Sequence, residues 1–156
     1  MSSSRWTTAI VGVALVVVYA VGSGIWVTSN EAWYNALDRP PWQPPDAVFG
    51  IVWPYNFLAL VLATIVVARE AGNRPRAVWL IGLAVSVATA LAWARLFYVD
   101  HALWPAAFAL VATVVVTMPI VVVAWRTRWW AGATLVPYLV WLALAASLSV
   151  GYALRN

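Results

Sequence analysis

The chain contains no cysteine and a single histidine, His101. Without cysteine there is no disulfide framework, no thiolate nucleophile and no cysteine metal site. His101 falls in a short polar stretch between apolar runs, so a buried metal or haem-iron ligand is not expected. The sequence also shows no paired carboxylates, Ser/His/Asp set or glycine-rich phosphate loop. We therefore expect no catalytic residue and no metal or covalent cofactor, and a binding role is favoured over an enzymatic one.

Charge is also scarce, because only 9% of the residues are charged whereas 65% are hydrophobic. A soluble domain of this length is nearer half apolar and a quarter charged. Part of this surface must therefore face lipid. The net charge is +4, but the charges lie between apolar runs rather than along one face. This arrangement argues against nucleic acid as a partner and predicts a lipid bilayer instead.

Five apolar runs of 18 to 26 residues contain no Asp, Glu, Lys or Arg. About 20 helical residues span a bilayer core of roughly 30 Å, and no run alternates as a membrane β-strand does. The first run has features of a signal peptide but is longer than a typical one, which favours a retained helix. We predict an all-α membrane protein with one domain, residues 1–156, built as a bundle of five transmembrane helices. The predicted helices are residues 7–29, 47–68, 77–98, 103–125 and 130–153, with a structured proline- and tryptophan-rich first loop.

The arginines are distributed unequally between the two sides of this predicted bundle. Three arginines belong to the side of the first loop, and six belong to the side of the N-terminus. Cytoplasmic loops carry an excess of Lys and Arg. The bias predicts that the N-terminus lies in the cytoplasm and the first loop outside. We expect the location to be a bacterial cell membrane.

Twelve tryptophans occur in the chain, and most of them fall near the ends of the apolar runs. Indole rings anchor helices at the headgroup level, so we expect most of the following to be anchors: Trp6, Trp26, Trp79, Trp93, Trp104, Trp125, Trp129 and Trp130. Trp53 and Trp141 lie deeper, where a ring packs against another helix or lines a cavity. Each stands near a proline, Pro54 or Pro137, that frees a backbone carbonyl within a helix. These positions predict a pocket between helices, although ordinary tolerated kinks are an open alternative.

Small residues recur every four positions in the third predicted helix, and such rows let helices approach closely in membranes. The row consists of Gly82, Ser86, Ala90 and Ala94, with a second row at Ala84, Ala88 and Ala92. The first row meets either a neighbouring helix of the same bundle or the same helix of a second subunit. We assign it to the interface of a homodimer as a hypothesis.

The C-terminal stretch "LSVGYALR" fits a proposed sterol-contact pattern through Leu148, Tyr152 and Arg155. This pattern is weak, since it joins a branched aliphatic residue, a tyrosine and a basic residue at variable spacing. A chain rich in leucine and valine matches it by chance at many helix ends. It therefore adds a sterol only as an alternative ligand.

The stretch "WYNALDRPPWQPPDAVFGIVWP" resembles the signature of the TspO/MBR family, the tryptophan-rich sensory proteins related to the mitochondrial translocator (peripheral benzodiazepine receptor). The matching residues are Trp33, Tyr34, Leu37, Arg39, Pro40, Trp42, Pro44, Pro45, Phe49, Val52 and Trp53. Two further segments are similar to family elements. "LVPYLVWLALAASL" matches through Pro137, Tyr138, Leu139, Trp141 and Ala145, and "WARLFY" matches through Trp93, Phe97 and Tyr98.

This resemblance implies a five-helix bundle, often dimeric, with a pocket capped by the first loop. It implies a planar hydrophobic ligand such as a porphyrin or another tetrapyrrole and, in animal members, cholesterol. The implied ligand-binding residues are Arg39, Trp42, Phe49, Trp53, Phe97, Tyr138, Trp141 and Ala145. Arg39 would supply charge and the aromatic rings stacking, while the prolines would make the loop a pre-shaped lid with Trp42 on its underside.

Two family asparagines are replaced in this chain, by Ala90 and by Ser149. A pocket with fewer fixed hydrogen-bond donors discriminates less between related ligands. The expected function is therefore a membrane sensor or carrier for a planar hydrophobic molecule. The alternatives are photo-oxidative degradation of a bound porphyrin and a regulatory partnership with another membrane protein.

Overall fold

The computed structural model describes residues 3–156, and every regular element in that range is a helix. Five long helices cross the apolar layer, and one short helix, α2, lies in the first loop. The helices are α1 (Ser3–Val27), α2 (Glu31–Ala36), α3 (Asp46–Glu70), α4 (Asn73–Tyr98), α5 (Leu103–Thr127) and α6 (Trp129–Arg155). The predicted all-α bundle of five membrane-spanning helices is confirmed.

The five long helices form a closed ring in the order α1, α3, α6, α5 and α4, each helix contacting the next and α4 contacting α1. A single residue, Arg128, joins α5 to α6, and four residues join α4 to α5, so these neighbours run antiparallel. The first loop is much longer and spans one end of the ring. We call the half of the bundle beneath this loop the open half and the opposite half the closed half.

The outer surface of the ring is covered by large apolar side chains. Ile51 is 74% exposed, Leu58 is 70% exposed and Phe108 is 68% exposed. In water these side chains would cost free energy, whereas against acyl chains they are in their preferred solvent. Together with the length and hydropathy of the five helices, this surface identifies a multi-pass integral membrane protein.

The closed half is tightly packed around Trp79. This indole is fully buried and donates its Nε1 hydrogen to Oγ1 of Thr64, 3.2 Å away. Gly12 of α1 packs closely against the same threonine. A Cβ atom added to Gly12 would lie only 2.5 Å from Thr64 Cγ2. The interpretation of Trp79 as an interfacial anchor is therefore wrong, since its ring fills the contact between α1, α3 and α4.

The first row of small residues on α4 faces α5 of the same chain. Ser86 is 1% exposed and lies 2.9 Å from the hydroxyl of Thr117, and Ala90 and Ala94 are fully buried. A Cβ atom on Gly82 would lie 2.5 Å from Ile120 Cγ2. The row thus closes the contact between α4 and α5. Its assignment to a dimer interface must be withdrawn, because Ser86, Ala90 and Ala94 are buried within the chain and Gly82 lies against Ile120.

Candidate ligand-binding cavity

A cavity of about 560 Å³ lies in the open half, beneath the first loop. Its wall comes from α1, α3, α4 and α6 and from the loop with α2, whereas α5 does not contribute. Pockets that hold small molecules are typically apolar clefts of about 300–1,000 Å³ with a few placed polar groups. The size of this cavity and its apolar lining are therefore within the range of small-molecule pockets.

Three aromatic side chains of α3 form one continuous wall of the cavity. Phe49, Trp53 and Phe57 follow each other at four-residue spacing, which places them on the same helix face. The rings of Trp53 and Phe57 are stacked, with centroids 5.7 Å apart and an interplanar angle of 25°. The edge of Tyr19 from α1 meets both rings, at 6.0 Å and 5.2 Å. The result is an apolar wall whose rings are held by their neighbours and can stack with a planar ligand.

Trp141 was predicted to line the pocket, and the structure places it behind the wall instead. Its ring packs edge-on against Phe49 at 5.1 Å and against Trp53 at 6.5 Å. It is 7% exposed and is not part of the lining, and Tyr138, one turn earlier, is 1% exposed in the core. Both residues therefore hold the wall in position rather than presenting a surface to a ligand.

Phe97 of α4 and Ala145 of α6, both predicted as site residues, do line the cavity. Phe97 is 2% exposed and sits among rings from the loop and from α6, including Trp33 at 5.6 Å and Tyr152 at 5.4 Å. Trp93, which the sequence indicated as an anchor, also lines the cavity one turn before Phe97. That interpretation of Trp93 is corrected accordingly.

The first loop is fastened to the bundle by hydrogen bonds that the sequence did not reveal. The Tyr152 hydroxyl of α6 donates to Oε1 of Gln43, and Nε2 of Gln43 donates to the Tyr34 hydroxyl of α2 at 3.1 Å. We call these three residues the loop latch. Gln43 occupies a variable position of the signature, so no residue pattern singled it out.

Trp42 holds the loop from outside the cavity. Its Nε1 donates to Oγ of Ser147 at 3.2 Å, and a Cβ atom on Gly151 would lie 2.9 Å from its ring and 2.8 Å from Pro40. The missing side chain of Gly151 thus lets the loop approach α6 closely. The expectation that Trp42 forms the apolar underside of a lid is wrong, because its indole covers the surface of α6 and is 48% exposed.

The far side of the loop is fastened to the connection between α4 and α5. The ring of Trp33 stacks on His101, with centroids 4.0 Å apart and an angle of 12° between the planes. Nδ2 of Asn30 lies 3.0 Å from Nε2 of the same histidine. His101 has a φ of 54°, an uncommon conformation that fits its place between the stacked indole and the chain reversal. The single histidine is therefore a structural support of the loop.

Arg39 was predicted to supply charge to a ligand, and it lies outside the cavity lining. Its guanidinium donates to Oδ1 of Asn35 at 2.7 Å and lies 3.9 Å from a carboxylate oxygen of Asp46. It also covers the ring of Tyr34 at 5.4 Å. These contacts join Arg39 to residues of the loop and of the start of α3, so Arg39 stabilises the loop conformation.

The three residues of the sterol pattern have separate environments. Leu148 and Tyr152 are 5% and 3% exposed and line the cavity, whereas Arg155 lies 3.7 Å from Asp38 of the first loop. Contact with a sterol in the surrounding bilayer needs outward-facing side chains. The pattern therefore does not form a surface site, because its members belong to the cavity wall and to the attachment of the loop.

The polar groups of the cavity are arranged in two layers. Glu31 and Asp46, both exposed, lie at the loop end, which we call the entrance. Ser149 and Trp93 lie farther in, but the Ser149 hydroxyl and Nε1 of Trp93 are themselves buried, and neither has a hydrogen-bond partner among residues 3–156. Within the same range no three His, Asp or Glu side chains come together as a metal site. The chemistry available is hydrogen bonding and stacking.

Comparison with known proteins agrees with this architecture. The model of the TspO/MBR family matches residues 10–155. The chain is 29% identical to Protein CrtK of Rhodobacter capsulatus over 127 residues, which covers 79% of this chain and 78% of that protein. It is 28% identical to a tryptophan-rich sensory protein of Cereibacter sphaeroides, covering 76% and 73% of the two chains. It is 32% identical to the human translocator protein over 134 residues, covering 83% and 78%. The chain is thus a member of the TspO/MBR family.

Proposed function

We propose that this protein binds a planar hydrophobic ligand of the porphyrin or tetrapyrrole type and acts as a membrane sensor or carrier for it. The relatives' names, a sensory protein and a translocator, fit either role. The binding site is the cavity beneath the first loop. A sterol is an alternative ligand of the same cavity.

The observation that carries this proposal is the stacked aromatic wall of α3. Trp53 and Phe57 present nearly parallel rings to a cavity of about 560 Å³, and Trp141 supports Trp53 from behind. Aromatic stacking of this kind adds roughly 0.5–1.5 kcal/mol per pair beyond burial of the rings. A flat macrocycle would gain it without reorganisation of the wall, because the rings are already held in place.

The test is a titration of the purified protein in lipid nanodiscs with a porphyrin, followed by the shift of the porphyrin absorption band. Trp53→Ala removes a ring that faces the cavity and should weaken binding by about tenfold, equivalent to roughly 1.4 kcal/mol. Trp141→Ala should weaken it less, because that ring acts through its neighbours. Trp104→Ala is the matched control, since this indole is 46% exposed on α5, which does not line the cavity. Equal affinity in all four proteins would place the site elsewhere.

A second candidate function is light-dependent oxidation of the bound porphyrin, with dissolved dioxygen as the oxidant and the indoles of Trp53 and Trp93 in the cavity wall as electron donors to the excited ligand. Illumination of the complex, with free porphyrin in empty nanodiscs as the control, separates this activity from binding alone. Faster loss of the absorption band in the complex, abolished by Trp53→Phe, supports it. Equal loss in both samples leaves binding as the function.

The cytoplasmic location of the N-terminus in a bacterial cell membrane and the formation of a homodimer belong to the same proposal. The closed half carries six of the nine arginines, which is the bias expected of a cytoplasmic side. If α4 forms the dimer, its exposed row at Ala88 and Ala92 is accessible, unlike Ala90. Ala88→Phe should reduce the size of the solubilised particle by half. An unchanged particle would exclude this face.

A further inference from the structure

A groove of about 480 Å³ lies on the outside of the bundle between α1 and α3, at the end opposite the first loop. It shares no residue with the cavity beneath that loop. Its α1 wall occupies positions i, i+3, i+4, i+7 and i+8 of the helix, which share one helix face along about 12 Å of its length. These residues are Trp6, Ala9, Ile10, Val13 and Ala14.

The groove is apolar along its length and faces the hydrocarbon of the bilayer. Ile10 of α1 is 62% exposed, and the other wall is formed by Ile65 of α3. Next to Ile65, Thr64 packs against Gly12, so the two helices meet beside the groove. A surface of this shape in hydrocarbon fits the linear acyl chain of a lipid, which gains packing contacts along it.

The end of the groove farthest from the loop is cationic. Arg69, in the last turn of α3, lines it, and Trp6, in the first turn of α1, lies beside it. Indole rings mark the depth of the headgroups. Arg69 is exposed and forms no ion pair within residues 3–156. Its aliphatic part can therefore lie along the groove while the guanidinium meets an anion at headgroup depth.

A second cation at the same end is buried without a counter-ion. Arg76 of α4 is 7% exposed and donates to the carbonyl of Ala71 and to the hydroxyl of Ser4, each at 2.9 Å. Neither partner carries charge, and Arg76 forms no ion pair in the described part of the chain. Ala71 and Ser4 each lie two residues from Arg69 and Trp6, at the end of the groove. Because a buried charge without an opposite charge is costly, an anion at this end would stabilise both arginines.

We propose that this groove binds one anionic glycerophospholipid from the leaflet on the N-terminal side of the membrane. One acyl chain lies along the α1 face, and the phosphate lies beside Arg69. Basic pockets between transmembrane helices bind anionic headgroups in this manner. The only carboxylate of the described residues at this end, Glu70, is already paired with Arg128. A zwitterionic lipid is disfavoured, because its ammonium group would approach the same arginines.

This site goes beyond the proposed binding function, because it lies outside the cavity and takes a different ligand. Native mass spectrometry of the detergent-solubilised protein counts the lipids that remain bound. The protein is titrated separately with phosphatidylglycerol and with phosphatidylcholine of identical acyl chains. It should retain one phosphatidylglycerol, with an affinity about fivefold or more above that for phosphatidylcholine, since each arginine near the headgroup contributes an effect of this order.

Removal of the charge at the end of the groove should reduce this preference. Arg69→Gln should weaken phosphatidylglycerol binding about three- to fivefold and leave phosphatidylcholine binding nearly unchanged. Arg126→Gln is the matched control, because Arg126 is also exposed at this end without an ion pair in the described range, on α5 and outside the groove. It should leave both affinities unchanged.

Filling the groove should act on both lipids. Ala14→Phe places a ring in the groove from an exposed position and should weaken binding of both lipids by about tenfold, as acyl-chain contacts are lost. Ala143→Phe is the control, because it makes the same change at an exposed position of α6 that lines neither the groove nor the cavity. Both variants should keep the circular dichroism of the unmodified protein.

Three results would overturn the proposal. Equal affinity for the two lipids would remove the role of the headgroup charge. An equal loss in Arg69→Gln and Arg126→Gln would assign the effect to the charge of the whole end. A dimer that carries no lipid and is dissociated by Ala14→Phe would show that a second copy of the chain covers the groove. The porphyrin titration of the cavity is independent of all three results.

Discussion

Two glycines of α1, one in each half of the bundle, have different surroundings. In the closed half, a Cβ atom on Gly12 of α1 would lie 2.5 Å from Thr64 Cγ2, whereas Gly24, twelve residues later in the open half, has no atom within 4 Å of that position. Gly24 lines the cavity, whereas a Cβ atom on Gly22, two residues earlier, would lie 2.9 Å from Leu91 of α4. In the open half α1 therefore keeps its contact with α4 on one face and borders the cavity with another.

The halves also differ in what holds them together. The closed half relies on close contact between small residues and one buried indole, Trp79. The open half relies on aromatic edges and on polar bonds between the first loop and α6, such as the loop latch. Packing resists opening uniformly, whereas a few hydrogen bonds can break and reform. The difference implies that most of the stability resides in the closed half and that the open half opens more readily, as the proposed binding function requires.

Charge follows the same division. The closed half has six arginines and one carboxylate, Glu70, which pairs with Arg128. The open half has three arginines and four carboxylates. An excess of positive charge on the cytoplasmic side would explain the six arginines of the closed half.

The largest expected effect comes from truncating an indole in each half. Trp79→Ala should lower the free energy of unfolding by about 3 kcal/mol. This value is at the low end of the range for replacing a buried tryptophan by alanine, because in lipid the substitution loses mainly packing contacts. Trp53→Ala, with the ring partly facing a cavity, should lower it by about 1 kcal/mol or less. Unfolding of both variants by SDS titration measures the difference. Equal losses would remove the distinction between the halves.

A pair of glycine substitutions sharpens the comparison on one helix. Gly12→Leu forces a side chain into Thr64 and should destabilise the protein by about 2 kcal/mol. Gly24→Leu gains the same helix propensity without a clash, so stability should not fall. Its side chain enters the cavity and should instead weaken porphyrin binding. A destabilised Gly24→Leu with unchanged binding would contradict the assigned geometry.

The loop latch provides a third comparison. Removing one of its hydrogen bonds should destabilise the attachment of the loop by about 1 kcal/mol, the usual contribution of one hydrogen bond. Tyr152→Phe removes the hydroxyl that donates to Gln43, and amide hydrogen exchange in residues 38–45 should become faster. Tyr55→Phe is the control, because its hydroxyl donates to the carbonyl of Thr134 at 3.0 Å, away from the loop. Identical exchange in Tyr152→Phe and the unmodified protein would show that the latch does not hold the loop.

The smallest effect concerns Asn56, in the middle of α3 where the two halves meet. It is fully buried, and both amide atoms lack a partner among residues 3–156. Replacing an unpaired polar group by an apolar group of similar shape is neutral or stabilising. Asn56→Leu should therefore raise the free energy of unfolding by about 0.5–1 kcal/mol. A loss of stability in the SDS titration would mean that the amide has a polar partner.

The number of spans and the place of the cavity were accessible from the sequence, because charge-free runs and a proline- and tryptophan-rich loop are strong signals. The face that each helix buries was not accessible. In a bilayer both the lipid-facing and the buried surfaces are apolar, so periodicity does not separate them. The sequence therefore misassigned Trp79 and the row at Ser86, which are buried within the chain.

The predicted roles of the loop residues were wrong for a different reason. Trp42 and Arg39 carry the resemblance to the family, but their contacts depend on where α6 ends and on the absence of a side chain at Gly151. Glu31 was expected to be merely solvated, since a loop carboxylate has no pattern that marks it as part of a cavity. Its place in the lining follows only from the fold of α2.

The most direct test is the structure of the complex with a zinc porphyrin, in which anomalous scattering from the zinc locates the macrocycle. The ring should lie in the open half, parallel to Trp53 and Phe57 and beneath the loop. A porphyrin on the lipid-facing surface of the helices, with the cavity walls unchanged, would contradict the account.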